Sequence, residues 1–256
     1  MTWEQDEPVF TPLDMIRYAS ETRKVPIESF HVPERLVVTY QRSALEHVQQ
    51  SLAGKQTNWL YGETWPVYAL DLKGADIGVF RSPVGASAAA FVLEELIACG
   101  AGKIVEVGMA GAIQSNLKLG DGIVVTEAVR DEGTSQHYFP PEVRLESTGR
   151  LREAVVKALE EETLPFHVGP IWTTDGVYRE TKGKLLKFKR QGVLAVDLET
   201  SALFAVAKHR GAEIASVQVI SDILSETKWF PAFRQENVLG GLRRLFSCVI
   251  EALSRS

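Results

Sequence analysis

The chain has 256 residues, of which 45% are hydrophobic, and a formal net charge of -5 at pH 7. This length and apolar content suit one α/β domain with a substantial core, and the acidic charge argues against an electrostatic nucleic-acid interface. No apolar run is long enough to span a bilayer, and the acidic N-terminus does not resemble a signal peptide. We therefore expect a cytoplasmic protein with neither a membrane nor a nucleic acid as partner.

Metal and disulfide chemistry find little support in the sequence. The chain has two cysteines, Cys99 and Cys248, and five histidines. Neither residue type occurs at the close spacings that hold zinc or mark a disulfide framework. We expect buried, reduced thiols, no metal site and no organic cofactor.

The first 34 residues are polar and interrupted by prolines, which indicates an N-terminal arm with a short helix at residues 13–20. Residues 35–256 are assigned to a single domain, because no linker, repeat or low-complexity tract divides them. This domain begins with a strand at 35–39 and a helix at 43–53. Arg42 lies at the turn between them, where a basic side chain near free helix N–H groups can hold an anion. A solvated turn residue is the alternative.

Two strands at residues 65–72 and 75–80 follow, joined by a turn at Lys73 and Gly74. The second strand leads through Arg81 into a helix that extends to Ile97. Gly85 and the small residues at the start of this helix would let a ligand approach the backbone closely. Close packing of the helix on the sheet explains the same residues equally well.

Glu106 is unusual because it interrupts the apolar strand predicted at residues 103–107. A buried carboxylate is costly unless it is paired or protonated. We favour a buried ion pair with Arg81, and a base that faces the ligand is the alternative.

The next part of the chain alternates strands and helices. We predict strands at 123–128 and 167–174, helices at 151–161 and 182–190, and a polar loop at 130–141 of the kind that often carries function. Tyr178 follows the strand at 167–174 and could stack on a flat ring, although packing is the commoner role of a tyrosine. A segment after Asp222 could form a lid, and a C-terminal helix closes the chain.

Residues 192–226 predict a strand, a helix, a second strand and a loop. Glu199 falls at the end of the first strand and Asp222 at the end of the second. In an open parallel sheet such ends face the ligand crevice, so two carboxylates would meet there. The alternative is that Glu199 caps the helix and Asp222 is a solvated turn residue.

Three segments together resemble the nucleoside phosphorylase superfamily, of the purine and uridine phosphorylase type. They are SPVGASAAAFVLEEL with VGMAGAIQSNLKLGD, then VRDEGTSQHYFPP, then VDLETSALFAVAKHRGA with VQVISD. The resemblance implies a single α/β domain with a twisted, mixed central sheet flanked by helices. It also implies a homo-oligomer with active sites at subunit boundaries, and cleavage of the N-glycosidic bond of a nucleoside.

The resemblance also implies roles for individual residues. Glu199 matches the glutamate that binds the ribose hydroxyls, and Asp222 matches the aspartate of purine-specific members that protonates the leaving base. Tyr178 falls where an aromatic ring stacks on the base. The remaining contacts implied for the sugar and phosphate end are Leu198, which replaces a methionine, with Gly85, Met109 and Ala110.

The base preference follows from the same comparison. Uridine phosphorylases clamp uracil with a glutamine and an arginine, where this sequence has Thr181 and Gly183. Together with Asp222, this favours a purine-like base. Inorganic phosphate is the co-substrate that the resemblance implies, and the products would be free base and ribose 1-phosphate.

The departures from the family pattern concern the phosphate. Glu106 stands where the phosphorylases carry a phosphate-binding arginine, and Met109 where they carry a threonine or serine. Either the phosphate site is rebuilt around Arg42 and Arg81, or water is the nucleophile and Glu106 polarises it. A non-catalytic nucleoside-binding protein is a third alternative. Phosphorolysis remains our first interpretation because the family favours it.

Overall fold

A computed structural model describes residues 7–255, with the side chain of Ser51 left out. Residues 1–6 of the predicted arm lie outside the described residues. The helices are α1 (Pro12–Arg23), α2 (Arg42–Ser51), α3 (Ala86–Ala98), α4 (Gly149–Glu161), α5 (Lys182–Arg190), α6 (Thr200–Arg210) and α7 (Glu236–Ser254). Short 3-10 turns lie at Ile27–Ser29, Thr134–His137 and Val177–Arg179. No helix in this part of the chain combines the length and apolarity needed to cross a bilayer.

The strands of the described residues form one mixed sheet. They are β1 (Arg35–Thr39), β2 (Lys55–Gln56), β3 (Val67–Leu72), β4 (Ala75–Arg81), β5 (Lys103–Ala112), β6 (Gly122–Asp131), β7 (Leu145–Glu146), β8 (Phe166–Thr174), β9 (Ala195–Asp197), β10 (Glu213–Leu224) and β11 (Trp229–Pro231). The order is β11-β10-β6-β8-β9-β5-β1-β4-β3-β2, and β10 also pairs with β5. Strands β5, β10, β6, β8 and β9 therefore close into a ring. Strands β1, β4, β3 and β2 extend the sheet from β5, while β11 pairs with β10 and β7 with β6.

Helices cover both faces of this sheet. Alternate residues of each strand point to opposite faces, so Leu36 and Val38 pack with α1, α3 and α6, while Val37 packs with α2, α4 and α7. Helix α6 is buried over most of its length, from Thr200 to Ala207. The predicted α/β domain with a mixed central sheet flanked by helices is confirmed.

The N-terminal helix belongs to this core. Ile16 and Ala19 of α1 are buried in the same cluster as Phe30 and the apolar residues of α3. The packing of residues 12–30 is therefore continuous with that of the domain predicted to begin at residue 35.

Strand β5 is longer than the sequence predicts, and the reason is glycine. A Cβ at Gly108 would lie 2.3 Å from Oε1 of Gln218, and one at Gly111 would lie 2.9 Å from Oδ2 of Asp222. Without side chains at these positions, β5 continues to Ala112 and pairs along its length with β10. Gly108 and Gly111, which follow the strand predicted at residues 103–107, therefore serve strand pairing.

Candidate active site

A cavity of about 650 Å³ lies beside the second half of β5. Its walls come from the β1–α2 junction, β5, the turn at Val177–Arg179, β9, the end of β10 and the segment from β11 to α7. The lining residues are Tyr40, Gln41, Val84, Met109, Gly111, Val177, Tyr178, Glu180, Val196, Asp197, Leu198, Glu199, Ser221, Asp222, Leu224, Trp229 and Phe233.

The two predicted carboxylates, Glu199 and Asp222, both line this cavity, but not through the topology that we predicted. Strand β9 runs antiparallel to β5, with Val196 opposite Gly111. Strand β10 runs parallel to β5, with Asp222 also opposite Gly111. The expected parallel β-α-β unit is therefore wrong. The carboxylates meet because both strands pair with β5, from opposite sides.

Asp222 is held by two donors at one end of the cavity. It is 7% exposed and lies within β10, after a bulge next to Ile220, rather than in a turn. Its Oδ1 accepts a hydrogen bond of 2.7 Å from the Ser221 hydroxyl, and its Oδ2 accepts one of 2.7 Å from the indole N–H of Trp229. The carboxylate is thereby fixed in one orientation toward the cavity.

Aromatic side chains surround the Asp222 end. Trp229 belongs to β11, which pairs with the last residues of β10, so the segment predicted as a lid begins as a hairpin. Phe233 follows it, and Tyr178 stands on the opposite rim with 97% of its surface exposed. Glu180 lies beside them, and burial together with the charge of Asp222 raises the pKa of Glu180 to about 7.

Glu199 is available to a ligand because another residue caps helix α6. Glu199 occupies the N-cap position without a side-chain cap bond, and Oδ2 of Asp197 accepts the hydrogen bond from Thr200 N at 3.0 Å instead. One oxygen of Glu199 accepts a 2.7 Å hydrogen bond from the backbone N–H of Gly85. The helix-cap alternative for the Glu199 side chain is therefore wrong.

Glu106 does not pair with Arg81. Strand β1 lies between β5 and β4, and the Arg81 side chain is exposed, where its Nε donates to the carbonyl of Tyr40 at 3.3 Å. Glu106 is fully buried and accepts hydrogen bonds from the Tyr40 hydroxyl at 2.7 Å and the Thr200 hydroxyl at 2.8 Å. The predicted ion pair is wrong because the two residues are two strands apart.

Glu106, Asp197 and Glu199 form a buried carboxylate cluster, with one oxygen of each within 4.8 Å of the others. Burial, with the charge of Asp197 second, raises the pKa of Glu106 to about 7. Burial and the charges of Asp197 and Glu106 raise the pKa of Glu199 to about 8. Burial also raises the pKa of Asp197. Three adjacent carboxyl groups without a cation cannot all ionise at neutral pH.

The predicted phosphate arginines lie outside the cavity. Arg42 begins α2 and pairs with Glu46 at 2.8 Å, with 79% of its side chain exposed. Arg81 is not among the lining residues either, and within residues 7–255 the lining contains no arginine, lysine or histidine. Met109 and Leu198 do line the cavity, whereas Gly85 reaches it only through its bond to Glu199, and Ala110 is buried behind the wall.

Sequence reasoning missed several lining residues, notably Tyr40, Asp197, Glu180 and Trp229. Asp197 carries a usable signal, since an acidic residue three positions before Thr200 is a good helix cap. Glu180 carries none, because it lies in an irregular segment whose path depends on its neighbours in space. Trp229 lies in the segment predicted as a lid, but no local pattern shows that its indole reaches Asp222.

Comparisons with known proteins agree with this architecture. The family model described as "Phosphorylase superfamily" matches residues 40–253. A guanosine phosphorylase of Halorubrum lacusprofundi is 29% identical over 144 residues, which are 56% of this chain and 60% of that protein. A DeoD-type purine nucleoside phosphorylase of Bacillus cytotoxicus is 32% identical over 152 residues, 59% of this chain and 65% of that protein. The matched segments thus span less than two thirds of these relatives.

A crystal structure of uridine phosphorylase from Vibrio fischeri superposes with a TM-score of 0.77 at 24% identity, covering 88% of this chain and 93% of that one. At this identity the likeness establishes the fold. The sequence relatives and the structural neighbour act on different bases according to their names, so the cavity itself must supply the argument for a substrate.

Proposed function

The chain belongs to the phosphorylase superfamily, and we propose that it cleaves the N-glycosidic bond of a purine-like nucleoside by phosphorolysis, releasing free base and ribose 1-phosphate. The observation that carries this proposal is the placement of Glu199 and Asp222 in one cavity, on the two sides of Gly111. Together they supply a group for the sugar and a group for the leaving base.

Glu199 is suited to hold the ribose. The backbone N–H of Gly85 donates a 2.7 Å hydrogen bond to one oxygen of Glu199, and the carboxyl group keeps further acceptor positions for the sugar hydroxyls. Hydrogen bonds to the 2′- and 3′-hydroxyls would fix the anomeric carbon for in-line attack, and such positioning contributes a large part of catalysis. Leu198 and Met109 supply apolar surface for the face of the sugar.

Asp222 is suited to protonate the departing base. A general acid must lie within hydrogen-bonding reach of the proton's destination and be oriented toward it. The bonds from Ser221 and Trp229 provide that orientation, and the rings of Tyr178, Trp229 and Phe233 offer apolar surface for a flat base. The carboxyl groups of Asp222 and Glu180 present acceptors to the N–H groups of a purine-like base.

The nucleophile is the third part of the proposal. The names of the relatives favour phosphate, and we retain Arg42, which lies one residue beyond the lining residue Gln41, and Arg81 as its candidate ligands. The absence of a cation among the described lining residues favours hydrolysis by water as the second candidate. We also propose that the enzyme is cytoplasmic and forms a homo-oligomer with shared active sites. A second copy of the chain would then complete the anion site.

The deciding experiment is base release from inosine, guanosine, adenosine and uridine, each with and without inorganic phosphate. Phosphorolysis predicts release that rises with phosphate and yields ribose 1-phosphate. Equal release without phosphate would establish the nucleosidase alternative. Equilibrium binding of a nucleoside without any turnover would refute both and support a binding protein.

A further inference from the structure

The hydroxyl of Thr200 lies between two buried carboxyl groups. Its Oγ1 is 2.8 Å from Oε2 of Glu106 and also in close contact with Oδ2 of Asp197. One hydroxyl carries one hydrogen, so it can donate to only one of these oxygens. If both carboxyl groups were ionised, the other contact would bring two oxygens together with no hydrogen between them. The geometry thus requires a proton on Glu106 or Asp197.

The surroundings of Glu106 offer no cation to replace that proton. The groups that face it are Tyr40 from the β1–α2 junction, Asp197 from β9, Glu199 and Thr200 at the start of α6, and the neutral Ser216 and Gln218 from β10. Arg81 on the more distant β4 is exposed and bonds to a backbone carbonyl. Within the described residues, the hydrogen-bond partners of the three carboxyl groups are neutral.

The proton lies close to the proposed reaction. Tyr40 donates to Glu106 and lines the cavity, and Asp197 and Glu199 line it as well. Each further ionisation in this cluster adds a full negative charge behind the end of the cavity opposite Asp222. At short distance beside a buried cluster, such a charge repels an oxyanion strongly.

We propose that Glu106, Thr200 and Asp197 hold one shared proton at neutral pH, and that this proton keeps the charge near Tyr40 and Glu199 low enough for an oxyanion to bind there. Glu106 is then a positioning residue that acts through Tyr40. The identity of the oxyanion as inorganic phosphate rests on the proposed phosphorolysis.

The proton can be observed without turnover. Carboxyl-carbon NMR of the ligand-free protein, labelled at Asp and Glu, reports the ionisation of each group across about pH 5 to pH 9. We expect a carboxyl that titrates near or above neutrality and that disappears or shifts in both Glu106→Gln and Asp197→Asn. Glu106 and Asp197 that are both ionised throughout this range would overturn the proposal.

The functional consequence is tested by the KM for phosphate as a function of pH. In the wild-type protein KM should rise by about tenfold for each pH unit above the pKa of the shared proton. Glu106→Gln cannot ionise and should flatten this rise. Tyr40→Phe should move the rise to higher pH, because the Tyr40 hydrogen bond favours the ionised form of Glu106.

The matched control is Glu132→Gln. Glu132 is also buried, at 2% exposure, but a separate donor serves each of its oxygens, the Ser201 hydroxyl and the Ser135 backbone N–H. Glu132→Gln should leave unchanged the pH at which the KM for phosphate begins to rise. The ionisation of phosphate itself affects all variants alike. An identical pH dependence in Glu106→Gln and wild type would overturn the oxyanion role. Base release at a rate independent of phosphate would instead refute phosphorolysis. The NMR titration would still show whether Glu106 and Asp197 share a proton.

Discussion

Strand β5 separates two kinds of carboxyl site. On the β10 side, Asp222 receives one hydrogen bond at each oxygen, from Ser221 and from Trp229. On the side toward β9 and α6, Glu106 and Asp197 both contact the single hydroxyl of Thr200, and Glu199 lies beside them. The first site has a separate donor for each oxygen of one carboxyl group, whereas in the second two carboxyl groups contact a hydroxyl that carries one hydrogen.

This difference assigns different tasks to groups of the same chemical type. Donors directed at both oxygens hold a carboxylate in one orientation, as delivery of a proton to a defined atom requires. Carboxyl groups that share a hydroxyl in a buried site must share a proton, and their charge then depends on their neighbours. In this protein the Asp222 site is suited to proton transfer, and the Glu106 cluster is suited to setting the local charge.

The strongest test of the Asp222 site is Asp222→Asn. Asparagine keeps the size and one acceptor but cannot deliver a proton, so kcat/KM for the preferred nucleoside should fall by about a hundredfold to ten-thousandfold. Steady-state assays of base release measure this. Asp76→Asn on the exposed part of β4 is the matched control. A variant with more than a tenth of the wild-type rate would show that Asp222 is not the general acid.

The role of Glu199 is tested by Glu199→Gln. The change replaces an acceptor oxygen with an amide NH2, which leaves a sugar hydroxyl without its acceptor and should cost about 1–3 kcal/mol of transition-state stabilisation, equivalent to roughly fivefold to 150-fold in kcat/KM. Glu199→Gln should lower kcat/KM less for a nucleoside that lacks the sugar hydroxyl bound by Glu199 than for the complete nucleoside. If kcat/KM falls equally for both nucleosides, Glu199 does not contact the sugar.

A smaller effect should follow from Trp229→Phe. Phenylalanine keeps an aromatic ring but removes the indole N–H that bonds to Asp222. Loss of one neutral hydrogen bond is worth about 1 kcal/mol, so kcat should fall roughly fivefold. Phe230→Leu alters the neighbouring position of β11 and serves as the control. Equal losses in the two variants would mean that the hairpin acts through packing alone.

Glu95 of α3 can be compared with both sites, because it is a buried carboxyl group that does not share a proton with another carboxyl group. It is 3% exposed, and among the described residues its Oε2 has no partner. Burial raises the pKa of Glu95 from its ordinary value of 4.5 to about 7. Since the folded state holds this proton more tightly, the contribution of Glu95 to stability is greatest below pH 4.5 and declines as the pH rises to about 7.

Glu95→Gln removes that decline. At about pH 8 the variant should be more stable than the wild type by roughly 1–3 kcal/mol, because a rise of the pKa from 4.5 to about 7 corresponds to at most about 3 kcal/mol. Near pH 4 the two should be alike. Urea unfolding at both pH values measures the difference. The same gain at both pH values would show that ionisation of Glu95 is not its cause.

Much of the secondary structure could be predicted from local patterns. Apolar periodicity and turn residues predict the strand at 35–39, the hairpin of β3 and β4 around Gly74, and helix α5. The family model that matches residues 40–253 confirms the resemblance drawn from the VDLE and SD motifs. Glu199 and Asp222 could be singled out because acidic residues at strand ends are noticeable in a sequence.

Other features depended on contacts between distant parts of the chain. The length of β5 depends on Gly108 leaving room for Gln218, which lies 110 positions later. The partner of Glu106 could not be predicted, because the sequence does not reveal that β1 lies between β5 and the strand of Arg81.

The sequence by itself determined the elements, the family and which carboxyl groups are available for chemistry, because periodicity, turn chemistry and short motifs are local properties. Only the tertiary structure decided the surroundings of each carboxyl group. The ionisation of a carboxyl group depends on its burial and on the donors and charges within a few ångströms. For Asp222 and Glu106 those neighbours include Trp229 and Tyr40, which reach them only after the sheet has closed around β5.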